Sequence, residues 1–292
     1  MDDITGVKGI VEKIIDVLGL EVIGAFCRAK SDSIKKINEM KTNNELEIKN
    51  AIINNSELTP QQKLQLNAML GTGYKKFIRQ MSVLGIAIDN MDEKCSKDNL
   101  DEDWLLDFFD KVSNISNEEI KKIWGKLLAG AASDKNICSK TLLNALFLMS
   151  TDEIKDFNNL IRFCVSEVGC GNNSSSISAY PIIYFAKNVK NYEMSRISRI
   201  RLNKLATLGL IDVDYKKEFI FSQQRMRLIY NNKIVELASK EKIYIGNVIF
   251  TYDGFLLYEM AEKIFNNRIL EYNIEIWKKR GYEVHVGKYF YR

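Results

Sequence analysis

Proline is nearly absent: Pro60 and Pro181 are the only two in 292 residues, where ordinary usage would supply roughly fifteen. Few prolines mean few forced helix breaks, so a mainly helical chain is expected. Histidine is scarcer still. His285 is the only one, which excludes zinc sites built from several histidines and obliges any Ser-His-Asp or Cys-His arrangement to use that ring. It lies in an alternating stretch far in sequence from every cysteine, and reads as a structural or surface residue. The five cysteines are Cys27, Cys95, Cys138, Cys164 and Cys170. Their count is odd and no Cys-x-x-Cys pair occurs, which fits free thiols in a reducing cytoplasm. No apolar run reaches the roughly 18 residues of a spanning helix. The start, Met1-Asp2-Asp3, is acidic where a secretory signal is basic, so no signal peptide is expected. Residues 71–73 and 169–171 are lone Gly-x-Gly units without a following Gly-Lys-Ser/Thr, which leaves no phosphate-cradling motif.

What is present is apolar content for a core, 46% of residues, and an uneven charge distribution. The net charge is only +4, a weak signal for nucleic acid. From Asp89 to Glu119, however, eleven acids face three lysines, a local net of −8. From Lys187 to Lys240, twelve basic residues face five acids, a local net of +7. Such regions are either separate solvated faces or complementary surfaces, within the fold or across an oligomer.

Periodicity places the elements. Val7, Ile10, Val11, Ile14 and Leu18 form the stripe of an amphipathic helix, expected to pack into the protein's own helical domain rather than on anionic lipid. A long helix over residues 21–55 carries a sparse seam that suits an antiparallel arm and self-association. Thr59-Pro60-Gln61-Gln62 is a capping box with proline at the first helical position, and Gly71 and Gly73 are placed to kink the helix it opens. Trp104, Leu105, Phe108, Phe109 and Val112 share one helical face. Ser116 and Glu119 predict a second box, and Ile120, Ile123, Trp124, Leu127 and Leu128 follow it at helical spacing. Ser139 opens another helix. Ser150 and Glu153 give a third box, for a helix expected to reach Gly169. Short strands are predicted at 180–186, 219–221, 228–230 and 243–245, with a Gly246-Asn247 turn before 248–250, a helix from Thr251 and a last strand through Tyr282, Val284 and Val286.

Asp103-Trp104-Leu105, Phe108-Phe109, Trp124-Gly125-Lys126-Leu127-Leu128-Ala129-Gly130 and Ser139-Lys140-Thr141-Leu142 together resemble the bacterial domain-of-unknown-function family 2806 (DUF2806). Leu208-Gly209-Leu210-Ile211 and Phe250-Thr251-x-x-Gly254-x-x-Leu257 are similar to it too. Ala131 and Asn136-Ile137-Cys138 depart from its pattern. The resemblance implies a cytoplasmic bacterial protein without known catalytic residues, in gene contexts of mobile elements or phage defence.

The expected fold is mainly α with a small α+β part: an N-terminal and central helical domain followed by a winged-helix-like C-terminal module. The expected division is an N-terminal helical arm region at 1–95, a central helical core at 96–170 and the winged-helix-like module at 176–292. Arg196, Arg199, Asn203, Lys204 and Thr207 fall on the outward side of the helix before Leu208, with Arg225 and Arg227 on or near the wing. Those residues are the candidate nucleic-acid contacts. Arg201 points to the apolar side, where Asp212 or Asp214 is its expected partner. Asp98, Asp101 and Asp103 resemble the start of a calcium loop but lack its glycine, and helix capping by Asp101 or Asp103 is the simpler reading. No metal, cofactor or small-molecule substrate is expected. The leading expectation is a non-enzymatic interaction protein with a protein partner or self-association. The alternatives are a DNA- or RNA-binding regulator, and an enzyme whose site would gather Asp103, Asp107 and His285.

Overall fold

Most of the caps legible in the sequence open helices in the computed structural model of the chain, which describes residues 4–18, 47, 49–167, 178–185, 197–221 and 224–288. The long helix read over 21–55 lies largely outside those residues. The chain forms two compact units, Met1–Leu143 and Asn144–Arg292.

The first unit is helical. α1 (Ile4–Leu18) buries Ile10, Val11 and Ile14, so its apolar stripe is covered by protein. Lys13 fixes it by donating to the carbonyl of Leu100 at 2.7 Å. α2 (Pro60–Asn90) starts at the Thr59–Gln62 box and runs unbroken through Gly71 and Gly73. Its second half enters the core with Met81, Val83, Leu84 and Ala87, while Leu64 and Met69 on its first half are exposed. α3 (Glu102–Val112) is capped by Asp101, whose carboxylate accepts from Trp104 N at 2.8 Å. Carbonyls at its C-terminal end accept from α2: Gln80 donates to Phe109 O and Arg79 to Ser113 O, both at 3.0 Å.

α4 (Glu118–Ser133) begins one residue later than the Ser116 box predicts. Asn117 is the cap, and its Oδ1 accepts from Glu119 N at 2.9 Å and Ile120 N at 3.2 Å. The aromatic centre of this unit is Trp104, Phe108 and Trp124, with ring centroids 5.1 and 5.2 Å from Phe108. Gly125 lets α2 and α4 touch: a Cβ there would lie 2.4 Å from Ile86 Cγ2. α5 (Lys140–Leu148) opens where Ser139 Oγ accepts from Leu142 N at 3.1 Å.

The second unit wraps small antiparallel sheets with helices. α6 (Thr151–Ile161) starts at the Ser150–Glu153 box. It stops well short of Gly169, because Cys164–Glu167 is strand β1, paired with β2 (Ser178–Pro181). α7 (Arg199–Thr207) follows, then β3 (Ile211–Val213), β4 (Phe219–Phe221), β5 (Arg225–Tyr230), β6 (Lys233–Ala238), β7 (Ile243–Gly246) and β8 (Val248–Phe250). α8 (Tyr252–Met260), α9 (Asn267–Lys279) and β9 (Glu283–Lys288) complete it. The largest sheet has the order β2-β1-β5-β6-β9, while β3 pairs β8 and β4 pairs β7. Gly246-Asn247 is therefore not a hairpin turn. The chain passes straight from β7 to β8, changing partner strand at Gly246, where φ is +110°. Asn247 is buried there as a clamp. Its Oδ1 accepts from Phe185 N, and its Nδ2 donates to the carbonyls of Asp214 and Lys217.

Val165, Leu228, Val235 and Leu237 from the large sheet pack with Leu270 and Trp277 of α9. Two sequence motifs meet at the join between α7 and β3. Thr251 N and Oγ1 donate to Leu210 O at 3.2 Å and Gly209 O at 2.6 Å, and Gly254 lies against the Leu210 backbone. The segments 208–211 and 250–254 are thus two halves of one contact.

Candidate groove on the second unit

α7 is a short helix with two unlike sides. Ser198 caps it, Leu202 and Leu205 are buried, and Leu208 closes its end. Residues 200, 203, 204 and 207 follow the i, i+3, i+4, i+7 spacing of one outward face, and Ile200, Asn203, Lys204 and Thr207 are all exposed. Ile200 is the outlier in this set, an isoleucine with 74% of its surface open to solvent. Beside it Leu148, the last residue of α5, is 69% exposed. Leu148, Ile200 and Leu208 form the apolar part of an open groove of about 410 Å³, whose polar part is Glu153, Asn203, Lys204 and Thr207.

The cations of α7 are largely engaged. Arg201 pairs with Asp156, a buried carboxylate on α6, and not with Asp212 or Asp214. Lys204 Nζ sits 3.0 Å from Glu153 Oε1. The Ser150 hydroxyl and the Lys204 ammonium hold the Glu153 carboxyl down at about 2. Arg199 lies over the Tyr215 ring, 5.0 Å from its centre, and makes no ion pair with a described residue. Tyr215 donates to Asn203 Oδ1 at 2.7 Å and packs against Phe185, with ring centres 5.0 Å apart. Burial pushes its phenol up, against the pull of Arg199. Tyr215 belongs to a tight turn in which Asp214 Oδ1 accepts from the backbone of Lys216 and Lys217, leaving both lysine side chains exposed.

Of the sequence candidates, Arg199, Asn203 and Lys204 share one helix. Arg196 lies outside the described residues. Arg225 and Arg227 stand on β5, outside the groove, and Arg227 is paired with Glu236 of β6 at 2.8 Å. Asp103 and Asp107 belong to the first unit, where Asp107 pairs with Lys111 at 2.7 Å, and His285 belongs to the second, exposed on β9. Among the described residues no three His, Cys, Asp or Glu side chains gather as metal ligands would. The sequence reading missed Ile200, Leu148, Glu153 and Tyr215. For Ile200 the signal was present, an apolar residue inside an otherwise polar outward face.

A second hollow, of about 710 Å³, lies on the first unit among Asp98, Asp101, Glu102, Asp103, Lys135 and Cys138. Its thiol is not an activated one. Burial pushes Cys138 up, and the nearby Asp101 and Asp134 charges add to that. Asp101 is committed to capping α3.

These features define a mainly helical protein with a small β part, no described helix long and apolar enough to cross a membrane, and a groove of mixed character on its second unit. Residues 78–272 match the family model described as "Protein of unknown function (DUF2806)", and the chain belongs to that family. No curated protein and no solved structure matches it.

Proposed function

We propose that this chain is a non-enzymatic interaction protein, that residues 176–292 carry a winged-helix-like module, and that the α7 groove receives a protein partner. The order α7, β3, a return through β8, then α8 supports the module. In this reading α7 holds the recognition position and the chain between β3 and β8 is an elaborated wing. The observation that carries the choice of partner is the pair Ile200 and Leu148, both strongly exposed, beside a lysine already neutralised by Glu153. Nucleic-acid affinity comes mainly from cations that displace counterions from phosphates. Arg201, Lys204 and Arg227 are engaged with Asp156, Glu153 and Glu236. Protein interfaces instead centre on apolar anchors ringed by polar groups.

One observation favours the second reading, a nucleic-acid-binding regulator. Arg199, Tyr215, Lys216 and Lys217 put an aromatic ring among cations, as single-strand binders do. Fluorescence anisotropy with labelled duplex and single-stranded oligonucleotides at about 50 mM salt separates the two. The proposed function predicts no saturable change. A saturable change lost in Arg199→Glu, Lys216→Glu and Lys217→Glu would assign the surface to nucleic acid. The bacterial setting of phage defence or mobile-element stress is part of the proposal. Phage challenge of cells carrying the gene in its operon tests it, with protection expected for the native chain and lost for Ile200→Glu.

A further inference from the structure

We infer that β9 is a dimerisation edge, on which a second copy of this chain adds its own β9 in antiparallel register. β9 is the terminal strand of the order β2-β1-β5-β6-β9, so among the described residues its outer edge has no partner strand. It is six residues long, with no proline, and its pairing with β6 runs without a register shift from Lys233↔Lys288 to Ala238↔Glu283. Natural sheets blunt such edges with prolines, bulges or a covering element, because a straight open edge templates pairing. Among the described residues β9 has no proline, no bulge and no further strand on its outer edge, and the charges that also blunt edges, Glu283 and Lys288, stand only at its two ends. Val286 adds a second sign. It lies opposite Val235, which is fully buried, on the side of the sheet that carries the core, yet it is 50% exposed.

The sequence of β9, Glu283-Val284-His285-Val286-Gly287-Lys288, is suited to itself. A continuous sheet related by a two-fold axis perpendicular to it must pair residues of the same face, which restricts the sum of paired numbers to even values. Centring the axis on His285 meets that condition. Val284 then faces Val286 of the second copy, and Val286 faces its Val284. Both valine pairs lie on the core side and extend the row begun by Val235 and Leu237, while the two His285 rings meet on the open side. Glu283 lies opposite Gly287, so like charges never face each other directly, and the second strand removes Val286 from water. This surface is separate from the α7 groove, and the inference does not depend on the function proposed above.

Sedimentation velocity of the full chain across the micromolar range should show a concentration-dependent dimer, weakened about tenfold by Val286→Lys, which sets a charge against each Val284. The register has its own test. His285→Cys places two thiols directly opposite, and mild oxidation should give a covalent dimer. Glu283→Cys places them roughly 14 Å apart along the strands, so no dimer should form beyond the native-thiol background. A monomer at every concentration would overturn the inference. So would a dimer indifferent to Val286→Lys, or cross-linking of Glu283→Cys as strong as that of His285→Cys.

Discussion

Replacing Gly254 by alanine should damage the second unit at one defined place. A Cβ there would sit 1.7 Å from the carbonyl oxygen of Leu210 and 2.7 Å from its carbonyl carbon. Ordinary contact needs at least about 3.4 Å, and the obstacle is backbone, which cannot rotate away. α8 and the start of β3 must therefore separate by roughly 1.5–2 Å. Overpacking of this kind costs about 3 kcal/mol. The same separation stretches the Thr251 bonds to Gly209 O and Leu210 O, for about 1 kcal/mol more. Alanine's better helix propensity returns about 1 kcal/mol, which leaves a net loss near 3 kcal/mol. Urea unfolding followed by hydrogen exchange should show it, with lost protection over residues 205–213 and 250–258 and unchanged protection in α3 and α4. Gly71→Ala is the control. Nothing lies within 4 Å of its added Cβ on α2, so a gain of up to about 1 kcal/mol is expected. A neutral Gly254→Ala would refute the argument that the 208–211 and 250–254 motifs exist to bring two backbones together.

Three further outcomes follow from the geometry. Asn117→Ala should cost about 1 kcal/mol while Ser116→Ala costs almost nothing, because Asn117 Oδ1 holds the first N–H groups of α4; urea midpoints decide between them. Tyr184→Phe should cost about 2–3 kcal/mol, since its hydroxyl accepts from Trp277 Nε1 and donates to Tyr244 O, both at 2.8 Å; calorimetric thermal unfolding measures it. The Glu153 carboxyl is held at about 2 in the folded chain, below its ordinary value of about 4.3. Its contribution is therefore complete above pH ~4.5 and is lost as pH falls toward 2. The difference in urea midpoint between the native chain and Glu153→Gln should accordingly shrink over that interval.

Local signals were legible wherever a few neighbouring residues decide the outcome. Thr59 with Gln62, Asp101, Ser139, Ser150 with Glu153, and Thr251 all cap helices as their spacing predicts. The alternation around His285 marks β9. Ser116 failed because Asn117, one residue on, is an equally good acceptor. What was not legible depends on distant partners. Leu160, Ile161, Phe163 and Cys164 continue an apolar pattern, and only pairing with β2 and β5 makes Cys164–Glu167 a strand. Arg201 reaches Asp156, 45 residues away, and no spacing rule points there. β6 did have a signal. Asn231-Asn232 separates it from β5, and Asn231 takes the positive φ of 57° that such two-residue turns demand. Gly246-Asn247 looked like the same device, but Asn247 points inward as a clamp and the strand runs on. The groove was half legible: the basic residues of α7 were visible, but their neutralisation by α6 and the exposure of Leu148 were not.

The proposed function stands or falls at Ile200. A photoreactive amino acid incorporated there, and activated in the native host, reports what occupies the α7 groove. The account predicts a discrete adduct that protease destroys, nuclease leaves intact, and Leu148→Glu abolishes. An adduct removed by nuclease and insensitive to Leu148→Glu, or no adduct at position 200 under any growth condition including phage challenge, would contradict it.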